Sequence, residues 1–244
     1  MDVSDRRPHL QKENEAIVIM SQPYQPIIHA VLFDLDGVLI DSMPHHVKAW
    51  KEEFVAWGVE VDPLIFRLRE GEKAGATLDF AAEEYGLILT PEQQAKFVES
   101  KRRRYRKNAP DRLVDGAVEI VKTLRSQGIK TAMVTGSIRR NLNHAVPEEE
   151  RDLFDAIITS DLCTHGKPHP EPYLRAAEKL NIPPQHCLAV ENAPLGIQSA
   201  KAAGIFTLAI TTTLPSKYLK EADRIIDDLF DILHHGAFIL KAGT

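Results

Sequence analysis

The stretch Ala30-Val31-Leu32-Phe33-Asp34-Leu35-Asp36-Gly37-Val38-Leu39-Ile40-Asp41-Ser42 decides how the chain reads. An apolar run leads into two carboxylates spaced by one residue, and then a glycine. Apolar runs of this length that end at a glycine read as buried strands of a parallel sheet, here from about Ile28 to Asp34. Aspartate is depleted in strand interiors, so two of them at the carboxyl end need a reason. In open α/β sheets the ligand lies in the crevice outside those ends. Two oxygen-bearing groups there suit a hard cation such as Mg²⁺, and one of them could attack phosphorus. The competing reading is a plain strand-to-turn junction, where Asp and Gly are common.

Beyond Ser42 the period changes. Val47, Trp50, Phe54 and Trp57 recur at helical spacing, with Pro44 at the start and Gly58 after the end. Asp62 to Gly71 runs into Arg69-Glu70-Gly71-Glu72-Lys73-Ala74-Gly75, a polar loop. Two more helical patterns cover Thr77 to Tyr85 and Pro91 to about Lys107, the second opened by Thr90 as N-cap. Residues 43 to 112 therefore read as an all-helical cap inserted into an α/β core made of residues 27–42 and 113–244. Residues 1–26 are charged and aperiodic and read as a loosely ordered extension.

From Asp115 onward, strands alternate with helices. Strands are expected at Thr131–Val134, Ala156–Thr159, Cys187–Val190, Phe206–Ile210 and Ile225–Ile226. Such alternation means βαβ units and a doubly wound parallel sheet. The polar residues fall at the carboxyl ends of these strands: Asp34 and Asp36, then Thr135-Gly136-Ser137, then Lys167, then Glu191-Asn192. In one parallel sheet those ends converge on a single crevice. Carboxylates, a hydroxyl beside Gly, a Lys and an acid–amide pair form a set fit for Mg²⁺ and phosphate.

Composition narrows the partners. A formal net charge of −5 over 244 residues gives no reason to expect nucleic acid, and no window approaches the roughly 18 apolar residues of a membrane span. Cys163 and Cys187 are too few for a disulfide framework. The expected setting is the cytoplasm, as a monomer or weak dimer.

The order Asp-x-Asp-Gly-Val-Leu-x-Asp-Ser, Thr-Gly-Ser, Gly-Lys-Pro-x-Pro-Glu-Pro-Tyr and Glu-Asn-Ala-Pro-Leu-Gly resembles the haloacid dehalogenase (HAD) superfamily. Over residues 28 to about 230 it is similar in particular to the β-phosphoglucomutase-like branch with a helical cap. The resemblance implies that Asp34 is a nucleophile forming an aspartyl-phosphate, and that Asp36 is acid to the leaving group and then base to water. It further implies that Thr135, with Gly136 and Ser137, and Lys167 hold the phosphoryl group, and that the Asp36 carbonyl completes a Mg²⁺ site. The fourth motif usually supplies a metal-binding Asp where this chain has Asn192. Either Glu191 compensates or another acid enters, and Glu70 in the cap loop is the candidate. Met43-Pro-His-His46, Glu70-Gly71 and Glu191-Asn192 together are similar to a pyrophosphate-hydrolysing type within that branch. His46 and Lys101 are the cap residues expected at the substrate; most of the basic run Lys101 to Lys107 reads as a solvated face. The expected activity is Mg²⁺-dependent hydrolysis of a small phosphorylated or pyrophosphate substrate. The alternative is a sugar phosphomutase, disfavoured because the cap arginine of resembling mutases is replaced by Gly71-Glu72-Lys73-Ala74, although Lys73 could substitute.

Overall fold

The computed structural model describes residues 25–243, so the expected extension lies almost wholly outside the described residues. Strand β1 (Ile27–Ile28) precedes β2 (Ala30–Phe33), the strand of the opening motif. Four helices come next, α1 (Met43–Ala56), α2 (Leu64–Leu68), α3 (Ala74–Glu84) and α4 (Pro91–Asn108). The alternation resumes with α5 (Ala117–Ser126), β3 (Lys130–Val134), α6 (Arg139–Ala145), α7 (Glu148–Arg151) and β4 (Ala156–Ile158). It ends with α8 (Glu171–Leu180), β5 (Cys187–Glu191), α9 (Pro194–Ala202), β6 (Phe206–Ile210), β7 (Arg224–Ile226) and β8 (Ile239–Leu240).

Six strands form one sheet in the order β4-β3-β2-β5-β6-β7, every pairing parallel. Because successive side chains of a strand face opposite ways, β2 feeds two cores. Val31 and Phe33 pack with Ile120 and Leu124 of α5 and Leu142 of α6 on one face. Ala30 and Leu32 pack with Tyr173, Ala176 and Ala177 of α8 on the other. Helices on both faces are the doubly wound architecture expected. Phe33 is in register with Met133 on one side and Val190 on the other, so Asp34 emerges between the ends of β3 and β5. That is where the strand order reverses, the position at which such sheets bind ligands.

The helical insert has its own core. Trp50 stacks on Phe66 at 5.4 Å and Phe54 meets Phe97 edge-on at 4.9 Å. Helix α4 opens with the expected cap: Gln93 N–H donates to Thr90 Oγ1 at 3.3 Å and Thr90 N–H to Gln93 Oε1 at 2.8 Å. Three details differ from the sequence reading. Helix α2 lies in the stretch before the polar loop, to which the sequence assigns no element, and its five residues are too few to show a period. Helix α3 starts three residues earlier than expected, through Gly75, whose low helix propensity hid it. Strand β8 pairs only with β1, two residues against two, below any pattern threshold. Among the described residues no helix is long and apolar enough to cross a membrane.

Candidate active site

The turn after β2 is tight. Gly37 adopts φ +83°, and a Cβ there would lie 2.1 Å from Asn192 Nδ2, so glycine is required both by conformation and by close approach. This turn presents Asp34 and Asp36, both buried, to the ends of β3 and β5.

Lys167 reaches the centre from the loop after β4. Its ammonium donates to Asp34 Oδ1 at 2.5 Å, Glu191 Oε1 at 2.6 Å and the Val134 carbonyl at 3.2 Å, which uses all three of its protons. The Tyr173 hydroxyl donates to the same Glu191 oxygen at 2.5 Å. Burial pushes the Asp34 carboxyl up to about 8 against the pull of Lys167, and the charges of Glu191 and Asp36 add to the rise. Lys167 is itself raised: burial opposes its charge, but Asp34 and Glu191 outweigh burial.

Asp36 is held by a separate set of donors. Ser42 Oγ donates to its Oδ1 at 2.6 Å, and the hydroxyls of Thr135 and Ser137 each donate to Oδ2 at 3.3 Å. His46 Nε2 lies 3.1 Å from Oδ1, while Lys101 Nζ donates to His46 Nδ1 at 2.8 Å. With Nδ1 accepting from an ammonium, Nε2 must carry the proton and donate to Asp36. Tyr105 stacks on the His46 ring at 3.8 Å, and Lys101 sits 4.7 Å over the Trp50 ring. Burial alone would raise Asp36, but its contacts with His46 and Ser42 and the charge of Lys101 hold it below the usual carboxylate range. Burial, with the Lys101 charge, keeps His46 neutral, and burial pushes Lys101 down to about 7.

Glu70 of the cap loop reaches this core. It is buried, and its Oε2 accepts from Asn192 Nδ2 at 2.6 Å. Three buried oxygens here have no hydrogen-bond partner among the described residues: Asp34 Oδ2, Glu70 Oε1 and Asn192 Oδ1. Orphaned acceptors of this kind cost free energy unless something binds them. Burial and the charges of Asp34, Asp36 and Glu191 hold the Glu70 carboxyl well above its ordinary range. Three hard oxygens, from two carboxylates and an amide in a site with excess negative charge, are the donor chemistry of Mg²⁺. Glu191, expected in that set, is engaged by other partners here: Oε1 is taken by Lys167 and Tyr173, and Oε2 accepts from the Asn192 N–H at 3.3 Å.

The cap closes tightly. An added Cβ at Gly136 would lie 2.4 Å from the Gly71 carbonyl oxygen, so the two loops touch backbone to backbone. Lys73 Nζ donates to the Cys163 and Thr164 carbonyls at 2.6 and 3.0 Å, on the loop that delivers Lys167. Lys73 is thus committed to the core and does not replace the missing cap arginine. Between cap and core remains a cavity of about 70 Å³ bordered by Asp36, His46, Glu70, Lys101, Arg102 and Ser137. His165 and His169 stand on the exposed outer side of the loop beside Glu171.

Gly136 and Ser137 lie where a phosphate-binding turn was expected, although the Ser137 N–H donates to Thr135 Oγ1 at 3.0 Å. Tyr105 and Tyr173 belong to the site without having been singled out. Tyr105 is four residues past Lys101, hence on the same helix face, and Tyr173 ends the Gly-Lys-Pro-x-Pro-Glu-Pro-Tyr motif. Thr213, which accepts from Asn192 Nδ2 at 2.8 Å, comes from a loop with no sequence signal.

The family model described as haloacid dehalogenase-like hydrolase matches residues 28–204. The chain belongs to that family and is an enzyme of its hydrolase class. It is 32% identical over 215 residues to the validoxylamine A 7'-phosphate phosphatase of Streptomyces hygroscopicus subsp. limoneus, covering 82% of this chain and 94% of that one. It is 30% identical over 214 residues to the putative pyrophosphatase PpaX of Caldanaerobacter subterraneus, covering 84% and 93%. Among solved structures, a putative β-phosphoglucomutase from Bacteroides vulgatus superposes with TM-score 0.75 at 33% identity, covering 85% and 87%.

Proposed function

We propose that the chain is a Mg²⁺-dependent phosphohydrolase acting on a small phosphorylated or pyrophosphate substrate through an aspartyl-phosphate on Asp34. Residues 27–42 and 113–244 are the core and 43–112 the closing cap. The observation that carries the reading is the division of labour between the two aspartates. Lys167 holds Asp34 by Oδ1 and leaves Oδ2 without a partner among the described residues, while Asp36 is gripped by an independent network of Ser42, Thr135, Ser137 and the cap residue His46.

A carboxylate oxygen of Asp34 attacks phosphorus and the bond to the leaving oxygen breaks. Asp36 hands that oxygen a proton. The resulting carboxylate then takes a proton from the water that attacks the aspartyl-phosphate, which restores Asp34 and releases inorganic phosphate. Asp36 rests ionised, which suits the second half. For the first half, the hydrogen-bonded line Lys101–His46–Asp36 offers a proton route, with Lys101 near neutrality at about 7. Thr135 and Ser137 turn their hydroxyls from Asp36 to the phosphoryl oxygens when these arrive. Asp34, Asn192, Glu70 and the Asp36 carbonyl are the residues that would hold Mg²⁺, which supplies charge neutralisation at the phosphoryl group. Closure by Glu70 and Gly71 excludes bulk water while completing the site.

A sugar phosphomutase reading is weakened by Lys73, whose ammonium is spent on the Cys163 and Thr164 carbonyls. The test is a phosphate-release screen with Mg²⁺ over pyrophosphate, small sugar phosphates and β-glucose 1-phosphate, on wild type, Asp34→Asn and Glu70→Ala. Release abolished in both variants is expected. Isomerisation of β-glucose 1-phosphate without phosphate release would overturn the hydrolase reading.

A further inference from the structure

The basic run on α4 contains one partly buried cation with no ion-pair partner among the described residues. Lys101 is committed to His46. Arg104 donates to Glu53 Oε2 at 2.6 Å, and Arg106 donates to Glu99 Oε1 at 2.8 Å and Asn141 Oδ1 at 3.0 Å. Arg103 is exposed. Arg102 is half-buried, its nearby acid Glu99 is already bonded to Arg106, and no carboxylate lies in salt-bridge contact with it among the described residues. A partly desolvated guanidinium with nothing to bind is costly.

Its position gives the cost a purpose. Arg102 borders the cavity of about 70 Å³ beside Asp36 and Lys101. It also borders the open cleft of about 760 Å³ that runs outward between Lys73, Val98, Ile138 and Asp161. The inner cavity has room for little beyond the reacting group, and Ala74, Arg102 and Ile138 border both spaces, so a substrate that continues from the cavity into the cleft passes Arg102. The cation is therefore met by the leaving-group end, after the acid Asp36 and ahead of solvent.

Resting on the phosphohydrolase reading, we propose that Arg102 is a specificity-determining residue: it binds a second anionic group carried on the leaving portion of the substrate. The substrate class is then a diphosphate or a bisphosphorylated compound rather than a monophosphate whose leaving group is neutral. A planar guanidinium presents paired donors that match the oxygens of a phosphate. Arg69, the other guanidinium at the cavity, is bound in both directions to Glu72 and so is not free for this role.

The test compares pyrophosphate and a sugar bisphosphate with p-nitrophenyl phosphate, whose leaving group has no second phosphate, on wild type, Arg102→Gln and Arg102→Lys with Mg²⁺ present. Loss of a charge-assisted hydrogen bond predicts a KM for the doubly anionic substrates raised roughly ten- to a hundredfold in Arg102→Gln. The kcat should stay close to wild type, p-nitrophenyl phosphate kinetics should hold within about twofold, and Arg102→Lys should recover part of the KM. Equal losses on all three substrates would assign Arg102 a structural role and overturn the inference alone, as would unchanged KM values throughout. A wild type that releases phosphate from none of them would overturn the phosphohydrolase reading, and the inference with it.

Discussion

Glu70 and Asn192, separated by 122 positions in the chain, meet at 2.6 Å through a carboxylate oxygen and an amide nitrogen. The cap thereby places an acid beside the position where a neutral amide leaves the core short of a charge. On the proposed reading, opening the cap would break this contact, and donor completeness and closure would be one event.

Glu70→Gln should therefore have two opposite effects. Metal affinity measured by calorimetry should fall by at least the roughly 10–100-fold that losing an outer-shell partner costs. The metal-free protein should instead melt a few degrees higher, since a buried acid crowded by Asp34, Asp36 and Glu191 has been removed. A melting temperature that falls in the absence of metal would contradict this account.

Glu191→Ala predicts the reverse balance. This acid is half of a buried ion pair with Lys167 at 2.6 Å and also receives Tyr173. Its removal leaves a buried ammonium with one carboxylate fewer, and breaking such a pair costs about 3 kcal/mol or more. Urea denaturation should show that loss, and Mg²⁺ added in excess should leave it in place.

The pH dependence arises from the raised acids. Folding favours the neutral forms of Asp34 and Glu70, so the stability they contribute is complete below their unfolded values of 3.8 and 4.5. It is lost as pH climbs toward the folded value, about 8 for Asp34. Asp36, lowered rather than raised, acts in the opposite sense: the stability it contributes is complete above its unfolded value of 3.8 and is lost only as pH falls into strong acid. Melting temperature without metal should decline from about pH 5 to pH 8, and the increment from Mg²⁺ should grow over the same range as binding ceases to compete with protons. A constant increment would argue that these carboxyls are not the ligands.

Gly136→Ala tests closure separately from chemistry. Its Cβ would meet the Gly71 carbonyl at 2.4 Å and the Glu72 carbonyl at 3.0 Å, so the cap must stand off while the core keeps its packing. A displacement of about 1 Å at a reacting site can cost on the order of 100-fold in rate. Turnover should fall on that scale with the melting temperature nearly unchanged; unaltered turnover would mean that the shut form is not the working one.

The core and the address of its chemistry were legible in the sequence because both rest on local signals. Apolar runs ending in Asp34, Val134 and Val190 mark strand ends, and a parallel sheet brings such ends together whatever lies between. Thr90 and Gln93 announced the start of α4 through a purely local exchange of hydrogen bonds. The partners of each acid were not legible. Glu70 precedes Gly71 and Glu191 precedes Asn192, and nothing in those neighbours says that one acid faces Lys167 and the other Asn192. The arginines of α4 posed the same difficulty: four identical neighbours acquire different fates only once the helix is laid against α1 and α6. Helix α2 and strand β8 were missed because five and two residues are shorter than a period.

Trp50 links the apolar heart of the cap to its charged floor, stacked on Phe66 on one side and under the Lys101 ammonium at 4.7 Å on the other. The chain has one other tryptophan, Trp57, whose indole N–H donates to Glu53 at 3.2 Å outside the catalytic group. A Trp57→Phe protein would thus carry a single tryptophan, excited apart from the tyrosines, whose emission responds to the charge and placement of Lys101. Substrate arrival, cap opening and proton loss from that amine become optical signals, readable in a stopped-flow cuvette without any label.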